Sequence, residues 1–267
     1  MEPLSTLVLG VWGEIKTAKT TLGLSFPKPL FHLDFDQGID RALPRFLDCR
    51  VLRVPDNTPL SQVNMQGADI ITKPYILPIK WPGQAIQGLI KLWESVMDDM
   101  RVACESSYIK SIIPDTGSGM WKMCTLAHLE RLQLKDPNRQ SIIQIEYGRP
   151  NGEMRAMFSA GRKYYKNMAI LHHVGGMYEE KFVPDGKGGL KKESIRIGDT
   201  WDGFGGMGQF VDIVAKTHKG STDGSAPPLS LTFETCGLTL AAEGMNIPTP
   251  SYDSILNLIN GLRSSGL

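Results

Sequence analysis

The sequence predicts an α/β fold in which a mainly parallel sheet is covered by helices on both faces. Three observations favour this class. Segments typical of strands and of helices alternate along most of the 267 residues. A glycine- and lysine-containing stretch, GEIKTAKT, follows the first apolar run and precedes a helical segment. Apolar residues make up 41% of the chain, which is enough for the sizeable core that such a sheet needs.

Each element is predicted from its pattern of apolar residues. Short apolar runs predict strands, and apolar residues recurring every three or four positions predict helices. The strands are expected at residues 4–11, 29–35, 49–54, 108–113, 168–174, 209–215 and 229–235. The helices are expected directly after GEIKTAKT and at residues 83–104, 121–134, 154–167 and 251–262. Residues 55–82 are rich in Pro, Asn and Gln, and we expect an irregular excursion there.

Composition restricts the function classes. We expect residues 1–267 to form a single domain, with a flexible loop or β-hairpin at 175–206. The chain has 29 Lys and Arg against 28 Asp and Glu, so any nucleic-acid site must be a local basic patch. The four cysteines include no Cys-x-x-Cys pair, which favours a reduced, cytoplasmic setting. No signal peptide and no long apolar run is found, so we expect no membrane span.

The stretch GEIKTAKT occupies residues 13–20 and reads Gly-x-x-x-x-Ala-Lys-Thr. It differs at one position from the Gly-x-x-x-x-Gly-Lys-[Ser/Thr] motif of phosphate-binding loops. In those loops backbone N–H groups surround the phosphates, the lysine reaches the β- and γ-phosphates, and the hydroxyl binds Mg²⁺. The alternative is an ordinary glycine turn, which the strand–loop–helix context disfavours. The predicted nucleotide-binding residues are Gly13, Glu14, Ile15, Lys16, Thr17, Ala18, Lys19, Thr20 and Thr21.

Ala18 is the departure from the motif. Because this position opens the helix, we expect a negative, helical φ there, which alanine tolerates well. The methyl group must still clear the phosphates, at a cost of about 1 kcal/mol for local backbone misfit.

Acidic and histidine side chains supply the other candidate site residues. Asp115 follows the strand SIIP and is expected to bind the metal together with Thr20. Asp36 follows the second strand and is a candidate general base for the attacking water. Both acids could instead belong to simple strand-end turns. Of the two histidines in LHHV, His173 rather than His172 is chosen as a γ-phosphate sensor, although a histidine on an apolar strand is usually a core residue.

Taken in order, these stretches resemble a known family, the RecA-like P-loop ATPases encoded by phages, some of which act in single-strand annealing and homologous recombination. The similarity covers roughly residues 5 to 262. It rests on GEIKTAKTTLGLSF, HLDFDQGIDRA, SIIPDT, EYGRPNGEMRAM, AILHHV, DGFGGMGQFVDIV and IPTPSYDSILNLI.

The resemblance implies a three-layer RecA-like P-loop NTPase fold with late antiparallel strands, and ATP and Mg²⁺ as cofactors. It implies that Lys19 and Asp115 carry the Walker A and Walker B roles. Asp36 falls where relatives have a catalytic glutamate and is one methylene shorter. Such proteins form homo-oligomeric rings or filaments in which a neighbour's cation completes the site. Lys216 and Lys219 are the candidates here, and the alternative is that both are surface lysines.

The resemblance also implies DNA-binding loops at about 136–155 and 175–206. The second loop carries a group of basic residues suited to single-stranded DNA phosphates, and Tyr178 or Trp201 could stack on bases. The alternative is a solvated hairpin, whose glutamates dilute the charge. The basic residues are Lys181, Lys187, Lys191, Lys192 and Arg196.

The leading hypothesis is therefore an ATPase of phage DNA recombination or replication that acts on single-stranded DNA in the cytoplasm of the bacterial host. Two alternatives stay open. One is a nucleotide-binding assembly module with little hydrolysis, and the other is an NTPase that acts on protein partners.

Overall fold

A computed structural model of the chain describes residues 4, 6–78, 87–184, 189–220 and 229–266. Within these residues eleven strands are present: β1 (Val8–Gly13), β2 (Leu30–Asp34), β3 (Val51–Arg53), β4 (Ile70–Pro74), β5 (Ser111–Asp115), β6 (Asn167–His172), β7 (Val174–Pro184), β8 (Leu190–Trp201), β9 (Ile213–Lys219), β10 (Leu229–Cys236) and β11 (Asn246–Pro248). The α-helices are α1 (Lys19–Leu24), α2 (Leu89–Glu105), α3 (Gly117–Gln133), α4 (Gly148–Lys163) and α5 (Tyr252–Ser264).

Nine of these strands form one sheet in the order β11-β10-β9-β1-β6-β5-β2-β4-β3. The seven neighbouring strands from β9 to β3 pair in parallel. The pairings of β10 with β9 and with β11 are antiparallel. The remaining two strands, β7 and β8, form a separate antiparallel hairpin.

The core lies on both faces of the sheet. On one face, α2, α3 and α4 bury Trp93, Met120 and Phe158 against the strands. On the other face, α1 and α5 bury Leu22 and Ile255. The predicted class is therefore confirmed: the fold is a three-layer α/β structure with a mainly parallel sheet and late antiparallel strands.

The prediction for residues 55–82 was wrong in one segment, because β4 (Ile70–Pro74) lies inside the sheet between β2 and β3. Polar Thr72 and Lys73 hide this strand from a search for apolar runs. Lys73 is nevertheless fully buried. Its charge is compensated there, because its Nζ lies 2.6 Å from the Asp99 carboxylate and 2.9 Å from the Thr58 carbonyl oxygen.

Several element boundaries also differ from the prediction. The helix α4 begins at Gly148 rather than at 154, because Pro150 falls in its first turn, where proline is tolerated. Helix α3 begins at Gly117. Thr116 caps its N-terminus, because the Thr116 hydroxyl accepts a hydrogen bond from the Gly119 N–H. The first residues of the helix predicted at 83–104 lie outside the described residues. In the described parts of the chain, no helix has the length and apolar character that crossing a membrane requires.

Candidate functional site

The sheet order brings the predicted site residues to one edge. Strands β1 and β5 lie on either side of β6, and the carboxyl ends of all three face the same way. Strand β2 lies beside β5, with Asp34 level with Asp115. The loop at 13–20, the residues after β2, the end of β5 and His173 therefore meet at this edge.

Gly13 is required by a close approach from a late strand. It ends β1 beside Thr217 of β9, with φ +156°, and a Cβ at this position would lie 2.2 Å from the Thr217 Oγ1. The Thr17 and Thr217 hydroxyls share a hydrogen bond of 2.7 Å. Thr217 thus holds both the start and the middle of the loop. No local pattern predicted this role, because Thr17 and Thr217 are 200 positions apart.

The expectation for Ala18 was wrong. Ala18 is left-handed, with φ 53° and ψ 29°, and it caps α1 rather than belonging to it. Lys16 is also left-handed, with φ 63°. Left-handed residues in a tight loop turn backbone N–H groups toward a common anion, and glycine adopts this conformation without steric cost. Ala18 therefore bears the strain that the glycine of the motif avoids.

Lys19 and Thr20 join the loop to its neighbours. The Lys19 Nζ donates to the carbonyl oxygens of Gly13 at 2.9 Å and Glu14 at 2.7 Å. Burial lowers the pKa of Lys19, and the nearby charges of Asp115, Asp36 and Glu14 oppose this shift. The Thr20 hydroxyl donates to the Asp115 Oδ2 at 2.6 Å. The two predicted metal ligands, on α1 and β5, are therefore in direct contact.

These two side chains fit a hard divalent cation. A hydroxyl and a carboxylate oxygen are the donors that Mg²⁺ prefers, and Mg²⁺ keeps several of its waters when it binds. Asp115 is only 3% exposed, so it is held in place at the edge of the site. Its Oδ2 also lies 3.3 Å from the Nε2 of His32, a buried residue that the sequence analysis missed.

Asp36 and His173 form a close pair across the site. The His173 Nε2 lies 2.7 Å from the Asp36 Oδ2, and the Thr116 hydroxyl donates to the Asp36 Oδ1 at 3.4 Å. Burial raises the pKa of Asp36, but the hydrogen bond and charge of His173, with Thr116 and Lys19, outweigh it and lower the pKa overall. The hydrogen bond that His173 donates to Asp36 raises the pKa of His173 against the opposing effect of burial.

The two adjacent histidines have different environments. His172 is fully buried at the end of β6, and its Nδ1 donates to the Asp202 carbonyl oxygen at 2.9 Å. Burial lowers the pKa of His172 to about 4. The Ser118 hydroxyl also donates to the Asp202 oxygen and accepts from the His173 N–H. The structure thus places His173 beside Asp36. Through their hydrogen bonds to Asp202, His172 and Ser118 connect the base of the β7–β8 hairpin to the start of α3.

An open cleft of about 370 Å³ lies between the loop and the base of this hairpin. Glu14, Ile15, His173 and Val174 line it. The side chains of Glu14 and Ile15 are exposed, whereas Thr17 and Lys19 are buried. The predicted binding residues therefore divide into an exposed rim and a buried inner group.

The segment predicted as a flexible loop or hairpin at 175–206 contains most of β7 and β8, which are paired from Val174 and Trp201 to Pro184 and Leu190. Its basic side chains, however, lie in ion pairs with acids of the same hairpin. Lys187 lies outside the described residues. The pairs are Lys181–Glu179 (3.1 Å), Lys191–Glu193 (3.8 Å), Arg196–Asp199 (2.6 Å) and Lys192–Glu180.

The aromatic candidates of the hairpin also differ from each other. Trp201 is half-buried, and its Nε1 donates to the Phe204 carbonyl oxygen at 3.2 Å. Tyr178 is 59% exposed, and Phe182, which was not predicted, is 70% exposed. Tyr178 pairs with Arg196 and Phe182 with Lys192, so all four side chains lie on one face of the hairpin.

The other two predicted interaction features are placed as follows. Only the first part of the loop at 136–155 is irregular, because α4 begins at Gly148. The Lys216 Nζ lies 4.4 Å above the ring of Trp12, and the Trp12 Nε1 donates to Glu234 at 2.6 Å. Lys219 ends β9 and is exposed.

No protein-family model and no curated protein matches the sequence. Among solved structures, the chain is similar to a KaiC-like protein from the hyperthermophilic archaeon Pyrococcus horikoshii OT3, with a TM-score of 0.45 and 8% sequence identity. The similarity covers 91% of this chain and 84% of that one. At this identity the likeness concerns the fold alone.

Proposed function

We propose that the protein binds ATP and hydrolyses it in the presence of Mg²⁺ at the edge formed by β1, β2 and β5. One observation carries this proposal: the Thr20 hydroxyl and the Asp115 carboxylate, 95 positions apart, lie 2.6 Å from each other beside a buried lysine. A glycine turn with surface lysines, the alternative for GEIKTAKT, does not require this contact. A metal–phosphate site does, since the cation needs oxygen ligands next to the loop.

The residues would act as follows. Lys19 would leave the carbonyl oxygens of Gly13 and Glu14 and reach the β- and γ-phosphates. Thr20 and Asp115 would hold Mg²⁺, which neutralises charge on the phosphate oxygens when bound. Asp36 would accept a proton from the attacking water while the bond between the γ-phosphorus and the bridging oxygen breaks, giving ADP and phosphate.

Before the nucleotide enters the cleft, His173 would act on Asp36. Its hydrogen bond at 2.7 Å helps to keep the Asp36 carboxylate ionised, and only an ionised carboxylate accepts a proton. Because both side chains are about one-third exposed, the pair can open when the γ-phosphate enters the cleft. His173 would then contact the γ-phosphate as a sensor.

We further propose single-stranded DNA as the effector, in phage recombination or replication within the cytoplasm of the host. Tyr178 and Phe182 are exposed on one face of the hairpin, and their cross-strand neighbours Arg196 and Lys192 lie on the same face. Exposed rings beside cations support stacking on bases. We also propose a homo-oligomer in which a neighbour's Lys216 or Lys219 completes the site.

Two alternatives each rest on one observation. The left-handed Ala18 favours a nucleotide-binding assembly module that hydrolyses little, since a strained loop can bind the phosphates and still misplace them for attack by water. The internal ion pairs of the hairpin favour an NTPase that acts on a protein partner, because paired charges attract a polyanion weakly.

Steady-state ATP turnover, measured with and without single-stranded DNA, separates the three. DNA-stimulated turnover supports the proposed function. Nucleotide binding with negligible turnover in either condition identifies the assembly module. Turnover that DNA leaves unchanged favours a protein partner. Asp36→Asn is the control for chemistry, since we expect it to bind Mg-ATP normally and to turn over slowly.

A further inference from the structure

We propose that His32, supported by Thr72, is a positioning residue that orients Asp115 for the metal. The inference rests on the proposed function, because it concerns the same metal site. The inference starts from a row of hydrogen-bonded polar side chains that crosses the sheet next to the loop at 13–20. The row runs from Thr72 on β4, through His32 on β2 and Asp115 on β5, to Thr20 on α1.

The strand register explains why these side chains meet. His32 is directly opposite Thr72 in the β2–β4 pairing. In the β2–β5 pairing Asp34 is opposite Asp115, so His32 lies two residues further back on the same face. A diagonal neighbour of this kind is within reach of a long side chain such as histidine.

The hydrogen bonds in this row have fixed directions. The Asp115 Oδ2 accepts from the Thr20 hydroxyl at 2.6 Å and lies 3.3 Å from the His32 Nε2. Because a carboxylate only accepts, the hydrogen must be on the His32 Nε2. With the hydrogen on Nε2 alone, Nδ1 accepts from the Thr72 hydroxyl at 3.0 Å.

Burial makes this arrangement rigid. His32 is 0% exposed, and Thr72 and Asp115 are each 3% exposed, so water does not compete for these groups. A fully buried polar ring is costly unless its nitrogens are hydrogen-bonded. Thr72 and Asp115 provide those bonds. With Oδ2 held from two sides, the carboxylate has one preferred orientation.

The consequence concerns metal affinity. Hydrogen bonds to a metal-binding carboxylate orient it, and losing such a partner weakens metal binding by about 10- to 100-fold. A purely structural histidine would instead affect folding without a selective effect on the metal. The two roles therefore differ in a measurable way.

The test uses the full-length chain and Mn²⁺ as the probe, followed by electron paramagnetic resonance in the presence of a non-hydrolysable ATP analogue. We expect His32→Leu to weaken Mn²⁺ binding about 10- to 100-fold while leaving the affinity for the analogue in EDTA unchanged. His32→Gln, whose side-chain N–H can reach the same oxygen, should recover most of the loss. Unchanged Mn²⁺ affinity in folded His32→Leu would overturn the proposal.

A second pair of variants covers the case in which His32→Leu does not fold. Thr72→Val removes the hydroxyl and keeps the shape of the side chain, whereas Thr72→Ser keeps the hydroxyl. We expect Thr72→Val to bind Mn²⁺ about fivefold more weakly than Thr72→Ser, as the loss of one neutral hydrogen bond implies. Equal affinities would contradict the role of Thr72 and of the row.

The ring tautomer gives a readout that needs no nucleotide. Nitrogen-15 chemical shifts of His32 in the protein alone should report hydrogen on Nε2, and a ring with hydrogen on Nδ1 alone would refute donation to Asp115. Wild-type protein that bound no Mg-ATP would overturn the proposed function and the metal-binding role of His32 together. The tautomer measurement distinguishes that failure from a wrong hydrogen-bond assignment.

Discussion

The interior of the sheet and the β7–β8 hairpin both hold opposite charges close together, but they differ in exposure. Lys73 and Asp99 lie 2.6 Å apart with side chains 0% and 2% exposed. On the hairpin, Lys181 and Glu179 lie 3.1 Å apart with side chains 51% and 52% exposed. The two contacts have similar lengths, yet the free-energy cost of breaking them differs strongly.

This difference shows which charges matter for stability and function. A buried charge that loses its partner stays uncompensated in a medium of low polarity, which is strongly destabilising. An exposed pair is screened by water and contributes between zero and about 1 kcal/mol. Changes to the buried polar groups near Asp115 are therefore expected to cost much free energy. The exposed charges of the hairpin can be replaced at a small cost in free energy.

Breaking the buried pair should have the largest effect. Asp99 also accepts hydrogen bonds from the Tyr75 hydroxyl at 2.8 Å and the Leu60 N–H at 2.7 Å. We expect Asp99→Asn to lower the free energy of unfolding by about 3–5 kcal/mol, measured by urea denaturation. Asp98→Asn is the matched control on the same helix, since Asp98 is 74% exposed. Similar losses in both variants would contradict the distinction between interior and surface.

Lys19→Ala should have the next largest effect, on binding rather than on folding. Removing the buried ammonium deletes the cation for the phosphates, and we expect ATP affinity to fall by about 3 kcal/mol, or roughly 100-fold, in calorimetry. Lys16→Ala, at an exposed position of the same loop, should change affinity by less than about 1 kcal/mol. Normal Mg-ATP binding by folded Lys19→Ala would show that the site is elsewhere.

Ala18→Gly should strengthen the loop by a smaller amount. Glycine removes the cost of the left-handed φ, about 1–2 kcal/mol, although its greater freedom in the unfolded chain offsets part of the gain. We expect the free energy of unfolding to rise by up to about 1 kcal/mol in urea denaturation, because the strain is already present in the loop without nucleotide. A lower free energy of unfolding for Ala18→Gly would mean that the methyl group makes a contact that the loop needs.

The Asp36–His173 pair is intermediate, with side chains 32% and 34% exposed. Asp36 has a lowered pKa, so its contribution is present above its ordinary pKa of 3.8 and disappears as pH falls. His173 has a raised pKa, so its contribution is complete below its ordinary value of 6.5 and disappears as pH rises through the raised pKa. The pair is therefore most favourable between about pH 3.8 and 6.5.

This sign predicts the effect of His173→Asn on the pH dependence of ATP turnover. Without His173, burial raises the pKa of Asp36, so the acidic limb of kcat/KM should move to higher pH. The rate near neutral pH should change little through this cause. An acidic limb that stays in place would show that Asp36 is not the group that titrates.

A single change on the hairpin should have the smallest effect. Lys192→Ala breaks the exposed pair with Glu180, whose side chains are 55% and 63% exposed. We expect the free energy of unfolding to change by less than about 1 kcal/mol. A loss comparable to that of Asp99→Asn would mean that the hairpin charges are buried in the assembled protein.

The sequence predicted the parts of the site whose chemistry is local. GEIKTAKT and SIIPD each place a candidate residue at the end of a strand, so the proximity of Lys19, Thr20 and Asp115 could be expected without coordinates. Thr217 and His32 could not, because their roles depend on which distant strands become neighbours. The left-handed Ala18 is a property of the closed loop and not of alanine.

The same limit explains the errors in the fold. Strand β4 was missed because Lys73 is polar, and its burial depends on partners outside the strand, Asp99 on α2 and the Thr58 carbonyl oxygen. On the hairpin, the positions of the basic residues could be read from the sequence. The ion pairs Lys192–Glu180 and Lys191–Glu193 could not be predicted, because they form in the folded hairpin. Residue type alone therefore overestimated the free positive charge.

The contact between Gly13 and Thr217 has a consequence for biosynthesis. The loop at 13–20 leaves the ribosome well before β9, because Thr17 and Thr217 are 200 positions apart, yet the start of the loop is completed by Thr217 of β9. A nascent chain therefore has all the residues of GEIKTAKT long before it has their final geometry. The proposed nucleotide site should be complete only after β9 has been translated and added beside β1, so we expect truncated chains ending before Ile213 not to bind ATP.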